Sequence, residues 1–93
     1  MMEFEWDPVK ARDNLTNHKV SFEEARHVFY DLYAIDGEDR VEDGEWRSVI
    51  IGMVAPNLAV IAVAYAIRGK DVIRIISARK ANRKERKQYG KAR

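Results

Sequence analysis

Residues 68–83 read R-G-K-D-V-I-R-I-I-S-A-R-K-A-N-R. Arg68-Gly69-Lys70-Asp71 has turn chemistry, Val72 to Ser77 is a β-rich apolar run, and helix formers take over from Ala78. Arg68, Arg74, Arg79, Lys80 and Arg83 share this stretch with the core formers Val72, Ile73, Ile75 and Ile76. Cations on a loose tail are only an electrostatic footprint. Cations rooted in a strand and a following helix are held in fixed geometry, as phosphate chemistry requires.

Upstream, Leu58 to Ile67 is continuously apolar and rich in Val, Ile and Ala, the pattern of a central strand buried on both faces. Ala55-Pro56-Asn57 is a turn signal, and Trp46 to Val54 alternates as a strand with Val49, Ile51 and Met53 on one side. Three strands on short turns make an antiparallel meander, and Phe4-Glu5-Trp6 offers a fourth. Asp7-Pro8 opens a helix to about His18, since Asp caps free N–H groups and Pro suits the first turn. Lys10, Asn14 and His18 fall on one side of it. Ser21 and Glu24 form a capping box for a second helix, with Val20 stapled to Ala25 and Phe22, Ala25, Val28 and Phe29 inward. The last helix, expected over about Ala78 to Tyr89, has a thin apolar stripe (Ala78, Ala81, Tyr89) beside rows of Arg and Lys that include Lys84. So little burial makes it marginal alone.

Ninety-three residues allow one domain, 1–93, with a modest core. There are no cysteines, which removes disulfides and thiolate metal sites. The longest apolar run is about half of the roughly 20 residues that span a bilayer, so the expectation is a soluble, cytoplasmic domain with no membrane role. The net charge of +2 conceals polarity: residues 1–67 hold 6 Lys/Arg against 13 Asp/Glu, residues 68–93 hold 11 against 2. Such asymmetry points to a charged partner, a nucleic acid or an acidic protein. Seven carboxylates crowd residues 31–45, but their spacing does not match a calcium loop, and a solvated connection is expected.

No metal cluster, Walker loop, dinucleotide fingerprint or G-x-S-x-G elbow is present, so neither metal nor cofactor is expected. What remains is a cationic set with aromatics (Trp46, Tyr65, Tyr89) in plausible reach. Arginine forks bind phosphate and aromatic faces stack unpaired bases, which suits single-stranded RNA. Metal-free cleavage would use the RNA's own 2′-hydroxyl. Arg68, Arg74 and Arg79 are the candidates for a phosphate clamp. His18, Tyr65, Tyr89 and Glu45 stand level as the proton-transfer group.

The chain resembles the BrnT toxins of bacterial type II toxin–antitoxin systems. The resemblance rests on F-E-W-D-P-V-K-A at 4–11, Asn14, His18, V-S-F-E-E-A at 20–25, Val28-Phe29, Glu45 and Arg47 before Ile51-Gly52, Ala64-Tyr65 before Arg68, R-I-I-S-A-R-K-A at 74–81, Glu85-Arg86 and Tyr89. It implies an α+β, RelE-like fold, with two N-terminal helices on a three- to four-stranded antiparallel sheet and a basic C-terminal helix. It also implies a ribonuclease that arrests translation, and a BrnA-like ribbon-helix-helix antitoxin through which the pair binds promoter DNA. Residue reading and resemblance together give Arg68, Arg74, Arg79 and His18 as catalytic candidates. Lys80, Arg83, Lys84, Arg47, Lys10 and Asn14 are the RNA-binding ones. Two positions depart from the family: Lys19 stands where glycine is usual, and Ala66 where a threonine commonly precedes Arg68 by two. The rivals are a nucleic-acid-binding module without catalysis, and an interaction protein whose basic helix grips an acidic partner.

Overall fold

The computed structural model describes residues 2–42, 44–55 and 57–92. Asp43 of the acidic connection and Pro56 of the Ala55-Pro56-Asn57 turn lie outside them. The elements in order are β1 (Glu3–Glu5), α1 (Pro8–His18), α2 (Phe22–Ala25) running into a 3-10 helix (Arg26–Tyr30), β2 (Ile35–Asp36), β3 (Arg40–Glu42), β4 (Glu45–Val54), β5 (Ala59–Arg68), β6 (Val72–Lys80) and α3 (Arg83–Ala92). The sheet order is β1-β6-β5-β4-β2, with β3 pairing a separate stretch of β4.

The helix starts follow their sequence signals. Asp7 accepts the Val9 N–H at 2.8 Å with Pro8 in the first turn, and Ser21 and Glu24 cap each other reciprocally. Lys19 ends α1 in the left-handed conformation, φ 61°. A side chain there costs on the order of 1 kcal/mol. The second helix is shorter than its apolar pattern promised, because its last turn tightens to 3-10 geometry as Val28 packs onto β4. Gly52 makes that approach possible: a Cβ on it would lie 2.7 Å from a Val28 methyl.

Both faces of β5 are covered, as its unbroken apolar run implies. Ile61 and Val63 pack with Ile73, Ile75, Phe22, Ala25 and Val28 on the side of the N-terminal helices. Ala62, Val49 and Ile51 meet Ala81 and Tyr89 on the other.

Three expectations are corrected. The sheet is mixed, not antiparallel: β1 pairs parallel to β6, with Phe4 opposite Ile73 and Glu5 opposite Arg74. Three alternating residues reveal which side chains are buried but carry no information on strand direction. The second correction concerns the C-terminal helix, which starts at Arg83 rather than near Ala78. The β5 ladder carries β6 onward through Ala62–Arg79 and Ile61–Lys80, so Arg79 and Lys80 are strand residues. A capping box then starts α3, with the Glu85 N–H donating to Asn82 Oδ1 at 2.8 Å and the Asn82 N–H to Glu85 Oε1 at 2.9 Å. The acidic connection, expected as a solvated loop, contributes two short strands, and Asp31 accepts from the Met53 N–H at 2.8 Å and the Tyr89 hydroxyl at 2.6 Å.

Candidate functional site

A row of register partners crosses one end of the sheet on the face away from α1 and α2. Phe4, Ile73 and Ile75 belong to the helix-side core, so strand alternation turns Glu5 and Arg74 to the opposite side. Ala66 pairs with Arg74, and Arg47 follows directly on β4, one residue before the Ser48–Tyr65 pair. The order across the strands is therefore Glu5, Arg74, Ala66, Arg47, with Arg68 two residues beyond Ala66 on the same side. The methyl of Ala66 leaves a floor between two guanidinium groups.

A cleft of about 440 Å³ opens over this floor, lined by Lys10, Arg47, Arg68, Arg74, Glu45 and Trp46, with Asp7 and the bulged Ile75-Ile76 segment at its edge. Lys10 reaches it because α1 starts just where β1 stops. Glu45, Trp46 and Arg47 lie on the part of β4 that has left β5 and pairs with β3 instead, as a two-stranded ribbon forming one wall.

The charges are ordered. Arg47 Nη1 holds Glu45 Oε2 at 2.6 Å, and the arginine side chain is only 11% exposed. Its Nε is buried without a hydrogen-bond partner, a cost of about 1–3 kcal/mol of the kind functional sites tend to carry. Arg74 Nη1 meets Glu5 Oε2 at 2.6 Å, half open to solvent. The hydrogen bond and charge of Arg47, with Arg68 and Lys10 farther off, hold the Glu45 carboxyl below the ordinary carboxylate range. Trp46 is 71% exposed, an uncovered aromatic face at a cationic rim.

Of the residues singled out in the sequence, Arg68, Arg74, Arg47 and Lys10 come together here. Arg79 does not join them. It lies in a second groove with Lys84, Arg40, Glu38 and Gln88, where its two terminal nitrogens grip Glu85 at 2.7 and 3.0 Å. Lys80, Arg83 and His18 are exposed and line neither groove. Asn14 is buried: its amide donates to the carbonyls of Val20 at 2.9 Å and Ala78 at 2.8 Å and accepts the Ala78 N–H at 3.1 Å. Tyr65 stacks edge-on against Phe29, with ring centroids 5.0 Å apart, and burial raises its pKa, with Asp36 and Asp39 adding to the effect. Two members of the site were not legible as such. Glu5 read only as the polar position of a short strand, and Ala66 carries no chemistry to notice. Among the described residues no group of His, Asp and Glu has the arrangement of a metal site.

The model of the ribonuclease toxin, BrnT, of type II toxin–antitoxin systems matches residues 6–85. The chain belongs to the BrnT toxin family. The match takes in the cleft residues from Asp7 to Ile76 and stops at Glu85, so it spans the α3 capping box as well. Among solved structures, the ribonuclease toxin BrnT of Brucella abortus superposes with a TM-score of 0.70 at 26% identity, covering 89% of this chain and 100% of that one. No curated protein sequence matches the chain. No helix among the described residues is long and apolar enough to cross a membrane.

Proposed function

We propose that this BrnT-family chain is a cytoplasmic endoribonuclease with a RelE-like fold that cuts single-stranded RNA without a metal ion and thereby arrests translation. A BrnA-like ribbon-helix-helix antitoxin holds it inactive, and DNA is bound only through that complex. The observation that carries the reading is the convergence of Lys10, Arg47, Arg68 and Arg74 on one cleft, drawn from α1, β4, β5 and β6.

The donor set suits phosphate. Arg68 and Arg74 offer planar forks to the non-bridging oxygens, where negative charge accumulates as a fifth bond to phosphorus forms. Lys10 supplies a point charge from α1. Arg47, already packed and tied to Glu45, has lost little freedom left to lose, so it adds charge at low entropic cost. Trp46 gives a neighbouring base a face to stack on, worth about 1–3 kcal/mol per base. Arg74 begins paired with Glu5, so substrate phosphate competes with that carboxylate for it, while Arg47 keeps Glu45; binding to the cation set weakens with salt.

Cleavage of RNA by the purified chain in EDTA, with and without ribosomes, tests the reading against Arg74→Ala. The expected result is cleavage by the wild type and a loss of at least about 100-fold in the variant. A folded wild type that binds RNA and leaves it intact in both settings would refute it.

A further inference from the structure

We infer that Glu45 is the group that takes the proton from the attacking 2′-hydroxyl, with Arg47 holding the carboxylate in place. The inference rests on the ribonuclease reading above and adds the residue that moves the proton.

Geometry separates the four groups that stood level in the sequence. His18 is exposed at the end of α1 and does not line the cleft. Tyr65 lies in the helix-side aromatic cluster, and Tyr89 is buried on α3 with its hydroxyl on Asp31. Glu45 alone lines the cleft beside the cations. The cleft's other lining carboxylate, Asp7, is occupied as the cap of α1, where it accepts the Val9 N–H, and Glu5 is paired with Arg74 at 2.6 Å and does not line the cleft.

Glu45 is also available. Its side chain is 64% exposed while its partner Arg47 is packed away, so one oxygen is anchored and the carboxylate stays open to solvent. The groups around it in the cleft come from several elements: Asp7, the cap of α1, Lys10 of α1, Arg47 of β4, Arg68 of β5 and Arg74 of β6. Cations outnumber carboxylates there, which keeps Glu45 ionised and able to accept a proton throughout the neutral range. A weak base is adequate where the cations already stabilise the phosphorane.

In the step, the 2′-O–H bond breaks and its proton passes to Glu45 as the 2′-oxygen bonds to phosphorus. The bond from phosphorus to the 5′-oxygen breaks, and that oxygen takes a proton from solvent. The products are a 2′,3′-cyclic phosphate and a 5′-hydroxyl, with no net change in redox state.

The test compares wild type, Glu45→Gln and Glu45→Asp on a labelled single-stranded RNA of mixed sequence, with and without ribosomes, from pH 3.5 to 8. Thermal melts and RNA-binding constants are measured alongside. Glu45→Gln should cleave about 100- to 10,000-fold more slowly with binding within threefold of wild type, and the wild-type fall in rate at acid pH should vanish. Glu45→Asp should recover part of the rate and the acid limb. If Glu45 only steadies Arg47, Glu45→Gln shifts binding and leaves the acid limb in place, which overturns the assignment. An active wild type with a Glu45→Gln variant within threefold of it overturns the assignment alone. A wild type inert in both settings overturns the ribonuclease reading and this assignment with it.

Discussion

Asn14 invites a decisive experiment because the structure gives it work unlike that expected of an RNA-binding residue. β1 covers the outer edge of β6 only from Val72 to Arg74. Farther along, the edge at Ala78 faces α1, and the Asn14 amide pairs with both the N–H and the C=O of Ala78, as a neighbouring strand would. A third bond ties it to the carbonyl of Val20. Asn14→Ala removes all three at a site only 6% exposed and leaves three backbone groups without that partner. At about 1–3 kcal/mol for each buried group left unsatisfied, and with some relaxation, the loss should be about 3–5 kcal/mol. Domains of this size have about 5–15 kcal/mol in all, so the melting temperature should fall by roughly 15–30 °C. Thermal and urea denaturation followed by circular dichroism measure this directly. Asn14→Asp sharpens the test. It keeps the acceptor for Ala78 but sets a carboxylate oxygen against two carbonyls, so it should be as damaging as alanine at neutral pH and regain stability in acid, when the carboxyl can donate. At low temperature, folded Asn14→Ala should bind RNA as the wild type does. A melting temperature within about 2 °C of wild type would refute the clamp, and lost RNA binding in the folded variant would return Asn14 to the substrate.

Two further outcomes are expected. The Arg79 hydrogen bonds hold the Glu85 carboxyl below its usual pKa, so its contribution is full above the ordinary carboxylate range and is lost as pH falls through the lowered folded value. Amide protection in α3 should therefore weaken in acid, and Glu85→Gln should speed exchange there at neutral pH by about 5- to 30-fold, a loss of about 1–2 kcal/mol for a partly buried charged pair; equal protection in both proteins would contradict this. Lys19→Gly should raise stability by about 1 kcal/mol by relieving the left-handed backbone, and a lower urea midpoint would show that the lysine side chain contributes more than the strain costs.

Much of the fold could be read from local signals. The Asp7-Pro8 start, the Ser21–Glu24 box and the two-sided burial of β5 are written in residues adjacent or nearly adjacent along the chain. The β6–α3 boundary was misjudged because Arg79 and Lys80 have no strong preference, and the β5 ladder decides their state from sixteen or more residues away. Yet a signal was there: Asn82 and Glu85 have capping-box spacing, which marks a helix start just after Asn82 rather than at Ala78. The site was half legible. Arg74 announced itself by sitting in a core strand, and Arg68, read as part of the turn beside it, is the last residue of β5; the separation of Arg79 depends on Glu85 reaching back to it. Of the stripe expected on this helix, Ala78 lies in β6 and Ala81 precedes α3, which leaves Tyr89, and the tethers that hold α3, Arg79 to Glu85 and Tyr89 to Asp31, join residues that no periodicity connects.

The short parallel pairing of β1 with β6 bears on the order in which the molecule comes into being. Glu3, Phe4 and Glu5 find their partners only at Val72, Ile73 and Arg74, near the other end of the chain. Closing so long a loop is slow compared with forming α1 or the β4–β5 hairpin, and a chain made from its N-terminus has nothing for β1 to pair with until β6 has emerged. Lys10 and Arg74, which both line the cleft, thus come together among the last events of folding. A nascent chain that stops at Arg68 carries three of the four cations, Lys10, Arg47 and Arg68, but lacks Arg74 and the strand that holds it. The cell that synthesises this protein holds an incomplete cleft for most of translation, and the interval before completion is the time an antitoxin already present has to arrive.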